Sequence, residues 1–380
     1  MNISIPKENS TVESRVPVLP STVEKLVKKG AVISVEAGIG ATLGITDEEY
    51  VKAGASVEKV RKKLLASGDI VLRLRKPETK ELSLMKKGAI SISYLDPFNE
   101  SALIGDLAKK NISAISMEMI PRSTRAQKMD ALSSQASLAG YAAVIVAADN
   151  IQKIFPMMMT PAGTIQPSKV FIIGAGVAGL QAIATAKRLG AKVDAFDTRP
   201  VAKSDVLSLG AKFVEVDLGE TGQTAQGYAK ALTEEQLQKQ REVMKQYCAN
   251  ADVVITTAQV FGRKAPVIVT KEMVAAMKPG SVIVDLAVET GGNVEGSEAG
   301  KIVEKNGVKI IGMKNMPGRV AMNASLMYSN NLFNLLDEFW NKETKQFDLK
   351  LEDDIIKSCL ITHGGTIVHP TFVPKKAEKK

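Results

Sequence analysis

The chain has 380 residues, 45% hydrophobic and 24% charged, a soluble globular composition with length for two domains or a little more. Its formal charge of +9 does not make it a nucleic-acid binder, because the basic residues are scattered, aromatics are only 4% and no nucleic-acid motif is present. Two cysteines, Cys248 and Cys359, exclude a disulfide framework. No apolar run reaches membrane-spanning length, Ala142–Ala148 being far too short, and MNISIPKE lacks an apolar signal region, so a cytoplasmic protein is expected.

From residue 2 to about 120 strand and helix patterns alternate. Strands are expected at Ile3–Ile5, Ala31–Glu36, Ile70–Leu74, Ala89–Tyr94 and Ser113–Ser116, with helices near Thr22–Lys29, Asp47–Ala53, Val57–Ala66 and Glu100–Lys109. Such alternation predicts a parallel, doubly wound α/β domain. It carries no glycine fingerprint, so it is not read as the nucleotide binder. A long helical stretch follows from Ser123 to about Ile154, with Thr124 as N-cap and Gln127 at N3, the spacing of a capping box. Met157-Met158-Met159 reads as flexible packing.

The central stretch is QPSKVFIIGAGVAGLQAIATAKRLGAKVDAFDTR, Gln166 to Arg199. A strand at Lys169–Ile173 runs into Gly174-Ala175-Gly176-Val177-Ala178-Gly179, a helix follows to Leu189, and a second strand, Lys192–Phe196, delivers Asp197. Gly174 allows a tight turn, Gly176 lets a pyrophosphate approach the backbone, and Gly179 lets helix and strand pack closely. The helix start favours the diphosphate through unpaired N–H groups and the helix dipole. A lone GxGxxG is weak, but this one sits between strand and helix with an acid 18 positions after Gly179. Asp197 should accept from the adenosine ribose hydroxyls and repel a 2′-phosphate, by about 4 kcal/mol per charge pair at ~4 Å in an intermediate dielectric. NAD(H) is therefore expected rather than NADP(H), although Arg199 stands two residues on and could receive such a phosphate.

Further along, a strand at Lys212–Val216 precedes a polar segment, Gly219 to Gly227, expected to be mobile. Helices are expected at Leu232–Ala249, Lys271–Met277 and Val320–Trp340, and strands at Asp252–Ile255, Ser281–Val284 and Val308–Ile311. Two short strands, Cys359–Thr362 and Thr366–Val368, close the chain. His363 and His369 are the only histidines, and with Cys359 they lack metal-ligand spacing, so no metal is expected. No nucleophile motif is present, nor an obvious general base of the kind most dehydrogenases need.

Several motifs now converge: PKE with Arg15, PRSTRAQKMDALSSQASLAGY, FPMMMTPAGT, the glycine fingerprint, GYAK, MKPGSVIVDLAVETGGN and HGGTIVHP. Together they span nearly the whole chain, which resembles the NAD(H)-binding subunit (the alpha subunit, domain I) of proton-translocating NAD(P)+ transhydrogenase, in a superfamily with the alanine dehydrogenases. The resemblance implies two doubly wound Rossmann-like domains with parallel sheets, joined by long helices with a cleft between them. Residues 1–125 with 328–380 would form one, discontinuous in sequence, and residues 126–327 the NAD(H)-binding one. It implies a nicotinamide-end loop at Arg122, Gln127, Asp130 and Ser133, Gln127 and Asp130 holding the carboxamide. Adenosine-side contacts fall on Val177, Asp197, Thr198, Arg199, Gly227 and Gln240, a mobile closing loop on Gly227-Tyr228-Ala229, and a further contact on Gln259. NADP(H) would sit on a partner subunit, with proton movement through a separate membrane component. The chain would then be a homodimer, peripheral on the cytoplasmic face of the membrane.

The positions where alanine dehydrogenases carry a substrate lysine, a catalytic histidine and a later aspartate are here Arg75, Asp96 and Glu289, while Arg15 is retained. An arginine cannot readily play a lysine's role, and losing the histidine removes the acid–base group. Amino-acid oxidation is thereby disfavoured against hydride exchange between two nicotinamides, which needs positioning and water exclusion instead. A stand-alone amino- or imino-acid dehydrogenase is the alternative, and a noncatalytic NAD-sensing protein a second.

Overall fold

Short runs of Ile and Val between helical stretches build two sheets, and the strands read as nearly continuous apolar segments because helices cover both faces. The structure, a computed structural model, describes residues 1–219 and 233–373. The chain divides into two compact units, Met1–Gln135 with Val320–Lys380 and Ala136–Arg319.

In the first unit eight strands lie in the order Ser56–Glu58, Val32–Glu36, Asn2–Ile5, Ile70–Leu72, Ile90–Ser93, Ser113–Ser116, Leu360–His363 and Thr366–Ile367. Neighbours are parallel up to Ser113–Ser116, and the two C-terminal strands add antiparallel. Tyr328, Leu332, Leu335 and Leu336 form one stripe of helix Ala321–Glu338 and pack with Ile3, Ile5, Ile33 and Leu72. Each such side chain contributes about 1.5–3 kcal/mol by burial, enough to hold this late helix on an early sheet. Leu103, Ile104 and Leu107 of helix Ser101–Lys109 join Val71, Ala114 and Ile361 in a separate cluster.

Two expectations fail here. The helix expected from Val57 to Ala66 is a strand, Ser56–Glu58, followed by a shorter helix, Arg61–Ser67. Pairing of Ser56–Glu58 with Ser34–Glu36 claims those residues for the sheet edge, and so short a run carries no decisive periodicity. The helix expected from Ser123 begins instead at Ala131 and ends at Asn150, after a 3₁₀ turn at Gln127–Met129. Thr124 does not cap it. Asp130 stands before its first residue and accepts the Ser133 N–H at 2.8 Å through Oδ1, which satisfies one of the open donors of the first turn.

At 20 residues, Ala131–Asn150 is also long and apolar enough to span a membrane by length and composition, contrary to the expectation that no run reaches that length. It is a core helix: Ala142, Ala143, Val144, Val146 and Ala147 are buried with the strands of the second unit, and Gln135 is buried in hydrogen bonds.

The second unit orders its seven strands Lys212–Phe213, Lys192–Phe196, Lys169–Ile173, Val253–Thr256, Val282–Asp285, Val308–Gly312 and Lys301–Lys305. All neighbours are parallel except the last pair. The fingerprint strand, Lys169–Ile173, is central and adjoins Val253–Thr256, where the strand order reverses; in open α/β sheets ligands bind beyond the carboxyl ends of strands at such a switch point. Ala182, Ile183 and Ala186 of helix Val177–Arg188 pack in one cluster, and Met244 and Cys248 of helix Glu234–Asn250 in another. Gly140 permits a close helix contact, since a Cβ there would collide with the Ala178 carbonyl oxygen.

Met157, Met158 and Met159 do not pack inward. Met158–Thr160 and Gly163–Ile165 form a separate two-stranded hairpin whose residues are all exposed, Met159 by 74%. The histidines have local roles: His363 Nδ1 lies 2.9 Å from Ser113 Oγ, and the His369 ring packs on Phe372.

Candidate functional site

In the glycine loop two of the three fingerprint glycines are required by the fold, each for its own reason. Gly174 has φ +96°, a left-handed conformation that disfavours any side chain. A Cβ on Gly179 would collide with the Gly174 carbonyl oxygen, so helix and loop close up only without one. Gly176 has φ −78°, and among the described residues no atom lies within 4 Å of where a Cβ would stand. Neither backbone nor packing requires glycine there, and the open space lies at the start of helix Val177–Arg188, whose first N–H groups favour an anion. Val177, the first helical residue, is exposed beside it.

Strand Lys192–Phe196 delivers Asp197 to the same loop. Its Oδ2 accepts the Ala175 N–H at 2.8 Å and Arg199 Nη2 at 2.8 Å, while Oδ1 accepts Arg199 N at 2.8 Å and Arg199 Nε at 2.9 Å. The carboxylate thus ties the glycine turn to the residues after the second strand. Its hydrogen bond, outweighing partial burial, raises the Arg199 guanidinium above its ordinary value. Thr198, half-buried, lies between the pair.

Gln240, in helix Glu234–Asn250, is 5% exposed, and its Oε1 has no hydrogen-bond partner among the described residues. A buried acceptor without a donor is costly, so this amide fits a ligand donor. Gln259, exposed, donates through Nε2 to the Leu286 carbonyl at 2.9 Å. Gly227, Tyr228 and Ala229 lie outside the described residues.

Sequence reasoning passed over two residues that hold this rim. Asp285, at the end of strand Val282–Asp285, accepts the N–H groups of Ala287 and Asn293, and Asn293 bonds Ala258 N and O and the Pro266 carbonyl. Both are fully buried. They fix the segment carrying Gln259. The signal was present in VDLAVETGGN, where a buried strand ends in an acid.

In the first unit the second group of expected residues runs from just after Pro121 into the first turn of helix Ala131–Asn150. Arg122 and Gln127 are exposed, Asp130 and Ser133 half-buried. Asp130 and Ser133 are joined: Ser133 Oγ donates to Asp130 Oδ2 at 2.6 Å, beside the backbone bond to Oδ1. Gln127 stands on the 3₁₀ turn, its N–H bonded to the Ser123 carbonyl. Its side chain is not part of a helix cap.

Arg15, Arg75 and Asp96 also lie in this unit. Arg15 donates through Nε and Nη2 to Glu13 at 2.8 Å each, and through Nη1 to Gln135 at 2.7 Å. Arg75 Nε donates to the same Glu13 at 2.8 Å. Burial alone would raise the Glu13 carboxyl, but the hydrogen bonds and charge of Arg15, with the charge of Arg75, hold it below the ordinary glutamate range. Asp96 has φ +53° and accepts from Asn99 at 2.7 Å. Its N–H is held by Glu118, a carboxyl that burial raises despite hydrogen bonds from Asp96 N, Leu95 N and Ser116. Glu289, in the second unit, accepts the Asn315 N–H at 2.9 Å.

Two domain descriptions account for almost the whole chain: residues 4–139 match the N-terminal domain of alanine dehydrogenase/PNT, and residues 143–370 its C-terminal domain. The chain belongs to the alanine dehydrogenase/PNT family. Within it, the chain is 47% identical to an NAD(P) transhydrogenase alpha subunit of Rhodospirillum rubrum, covering 99% of this chain and 100% of that protein. The crystal structure of a transhydrogenase from Sinorhizobium meliloti superposes with a TM-score of 0.87 at 45% identity, covering 97% of this chain and 100% of the other. Alanine dehydrogenase of Methanococcus maripaludis stands further off, 30% identical over 97% of this chain and 95% of its own. The alanine dehydrogenase/PNT fold is therefore carried here by a sequence nearer to the transhydrogenase alpha subunits than to that dehydrogenase.

Proposed function

We propose that this chain is the NAD(H)-binding subunit of a proton-translocating NAD(P)+ transhydrogenase of the Si-specific type. The observation that carries this reading is the full-length 47% identity to a transhydrogenase alpha subunit, against 30% to an alanine dehydrogenase. The binding half is Gly174, Gly176, Val177 and Gly179 for the diphosphate, with Asp197, Thr198, Arg199, Gly227, Tyr228, Gln240 and Gln259 toward the adenosine. The nicotinamide end is assigned to Arg122, Gln127, Asp130 and Ser133. Among the described residues, the open space at Gly176 and the Gln240 oxygen without a partner support a dinucleotide there.

The bound dinucleotide would supply the hydride, delivered to NADP+ on a partner subunit. This chain's residues orient and enclose. Gln127 and Asp130 hold the carboxamide, and Asp130 is itself fixed by Ser133. No proton leaves the donor carbon, so no residue need act as acid or base there. Proton movement belongs to a separate membrane component, the chain sitting as a homodimer on the cytoplasmic face of the membrane through its partners.

The deciding experiment mixes the pure chain with the NADP(H)-binding and membrane components of such a transhydrogenase and follows hydride transfer from NADH to NADP+. Transfer only in the mixture supports the reading. Turnover of amino acids with NAD+ by the chain alone would establish a dehydrogenase, and NADH binding without transfer a sensor.

A further inference from the structure

Helix Ala321–Glu338 reaches the segment Arg125–Gln135 along one face. Gln135 Nε2 donates to the Ala324 carbonyl at 2.9 Å, and Lys128 Nζ pairs with Glu338 at 2.7 Å. Between these contacts sits Asn331, 6% exposed. Its Nδ2 donates to the Lys128 carbonyl at 3.1 Å, and its Oδ1 accepts from Ser134 Oγ at 2.7 Å. The orientation of the amide follows from the partners, since a carbonyl oxygen needs a donor. Asn334, one turn on, donates to the same carbonyl at 2.8 Å.

We infer that Asn331 is a positioning residue for the turn that carries Gln127 and Asp130. Lys128 lies between those two residues, and Ser134 lies in the first turn of the helix after them. One side chain therefore fixes the turn to the helix that Asp130 caps. Without Asn331 the turn keeps Asn334 on the Lys128 carbonyl but loses the amide that also ties it to Ser134, and a misplacement of about 1 Å can cost about a hundredfold in rate. This inference rests on reading Gln127 and Asp130 as the nicotinamide end.

The substitution Asn331→Leu removes both bonds at similar volume and strands neither partner. The Lys128 carbonyl keeps Asn334, and the Ser134 hydroxyl has the Ala131 carbonyl at 3.2 Å. In the complex with the NADP(H)-binding and membrane components, NADH affinity is expected to stay within about twofold and hydride transfer to fall about tenfold. The double variant Asn331→Leu with Gln127→Asn should be clearly less than additive, because both act through one turn. Full additivity, or normal transfer in Asn331→Leu, overturns the inference. Normal transfer in Gln127→Asn alone overturns instead the assignment of the turn to the nicotinamide. Should Asn331→Leu melt far below the parent, Asn331→Asp is read in the same way, since it keeps shape and the acceptor for Ser134 but removes the donor to Lys128.

Discussion

Asp197 and Arg199 form a two-pronged ion pair, Nε on Oδ1 at 2.9 Å and Nη2 on Oδ2 at 2.8 Å. The acid that would repel a 2′-phosphate is thus directly neutralised by the arginine that could attract one. Which of the two faces the ligand's charge depends on this pairing. Replacing Asp197 with Ala releases Arg199 and removes the repulsion, so NADPH should gain on NADH by at least tenfold, or about 1.4 kcal/mol. Arg199→Ala should move the ratio the other way. Calorimetric titration of both nucleotides into each variant measures this, and an unchanged ratio in both would place the pair away from the ribose.

Gly176 separates ligand chemistry from folding. Its φ of −78° suits alanine and a Cβ there meets none of the described residues, so Gly176→Ala should melt near the parent temperature: a stiffer unfolded chain stabilises by about 0.4–1 kcal/mol, offset by alanine being a poorer helix N-cap than glycine. Dinucleotide affinity should fall at least tenfold as the methyl group occupies the diphosphate's approach. Loss of melting temperature with affinity intact would reverse both assignments.

Gln127 offers a cleaner test than its position in a helix cap would have allowed. The helix begins at Ala131, so Gln127→Asn should leave the melt unchanged. NADH affinity should stay near normal while hydride transfer in the reconstituted complex falls at least tenfold, roughly 1.4 kcal/mol of barrier. Stopped-flow transfer beside a thermal melt reads both quantities, and unaltered transfer removes Gln127 from the site.

Glu13 gives a pH signature. Its carboxyl is held below the ordinary glutamate range in the folded chain, so its contribution is present above the unfolded value and lost as pH falls through the folded one. Breaking a buried pair by removing one partner costs about 3–5 kcal/mol, and Glu13→Gln should show a loss of that order by urea unfolding near neutral pH. The gap from the parent should hold constant down to about pH 5 and narrow only below it. A gap already shrinking between about pH 8 and 6 would assign the effect to another group.

What the sequence determined by itself was local. Strand Lys169–Ile173, the glycine turn and strand Lys192–Phe196 stand where the pattern put them, because a five-residue apolar strand, a glycine with φ above zero and an Ala-rich helix each declare themselves within a few residues. The acid at 197 was legible for the same reason. Tertiary structure decided the rest. Ser56–Glu58 is a strand because a neighbouring strand pairs with it, and the methionines after Pro156 are exposed because a hairpin carries them away from any core. Asp130 displaced Thr124 as the residue that starts the long helix, since the turn at Gln127–Met129 comes first. Asn331 lies about 200 residues from the turn it holds, and no local pattern marks a buried amide whose two partners come from that distance. Its meaning exists only once the helix at 321 has packed against the first sheet, because a hydrogen bond of this kind is specified by where two backbones meet.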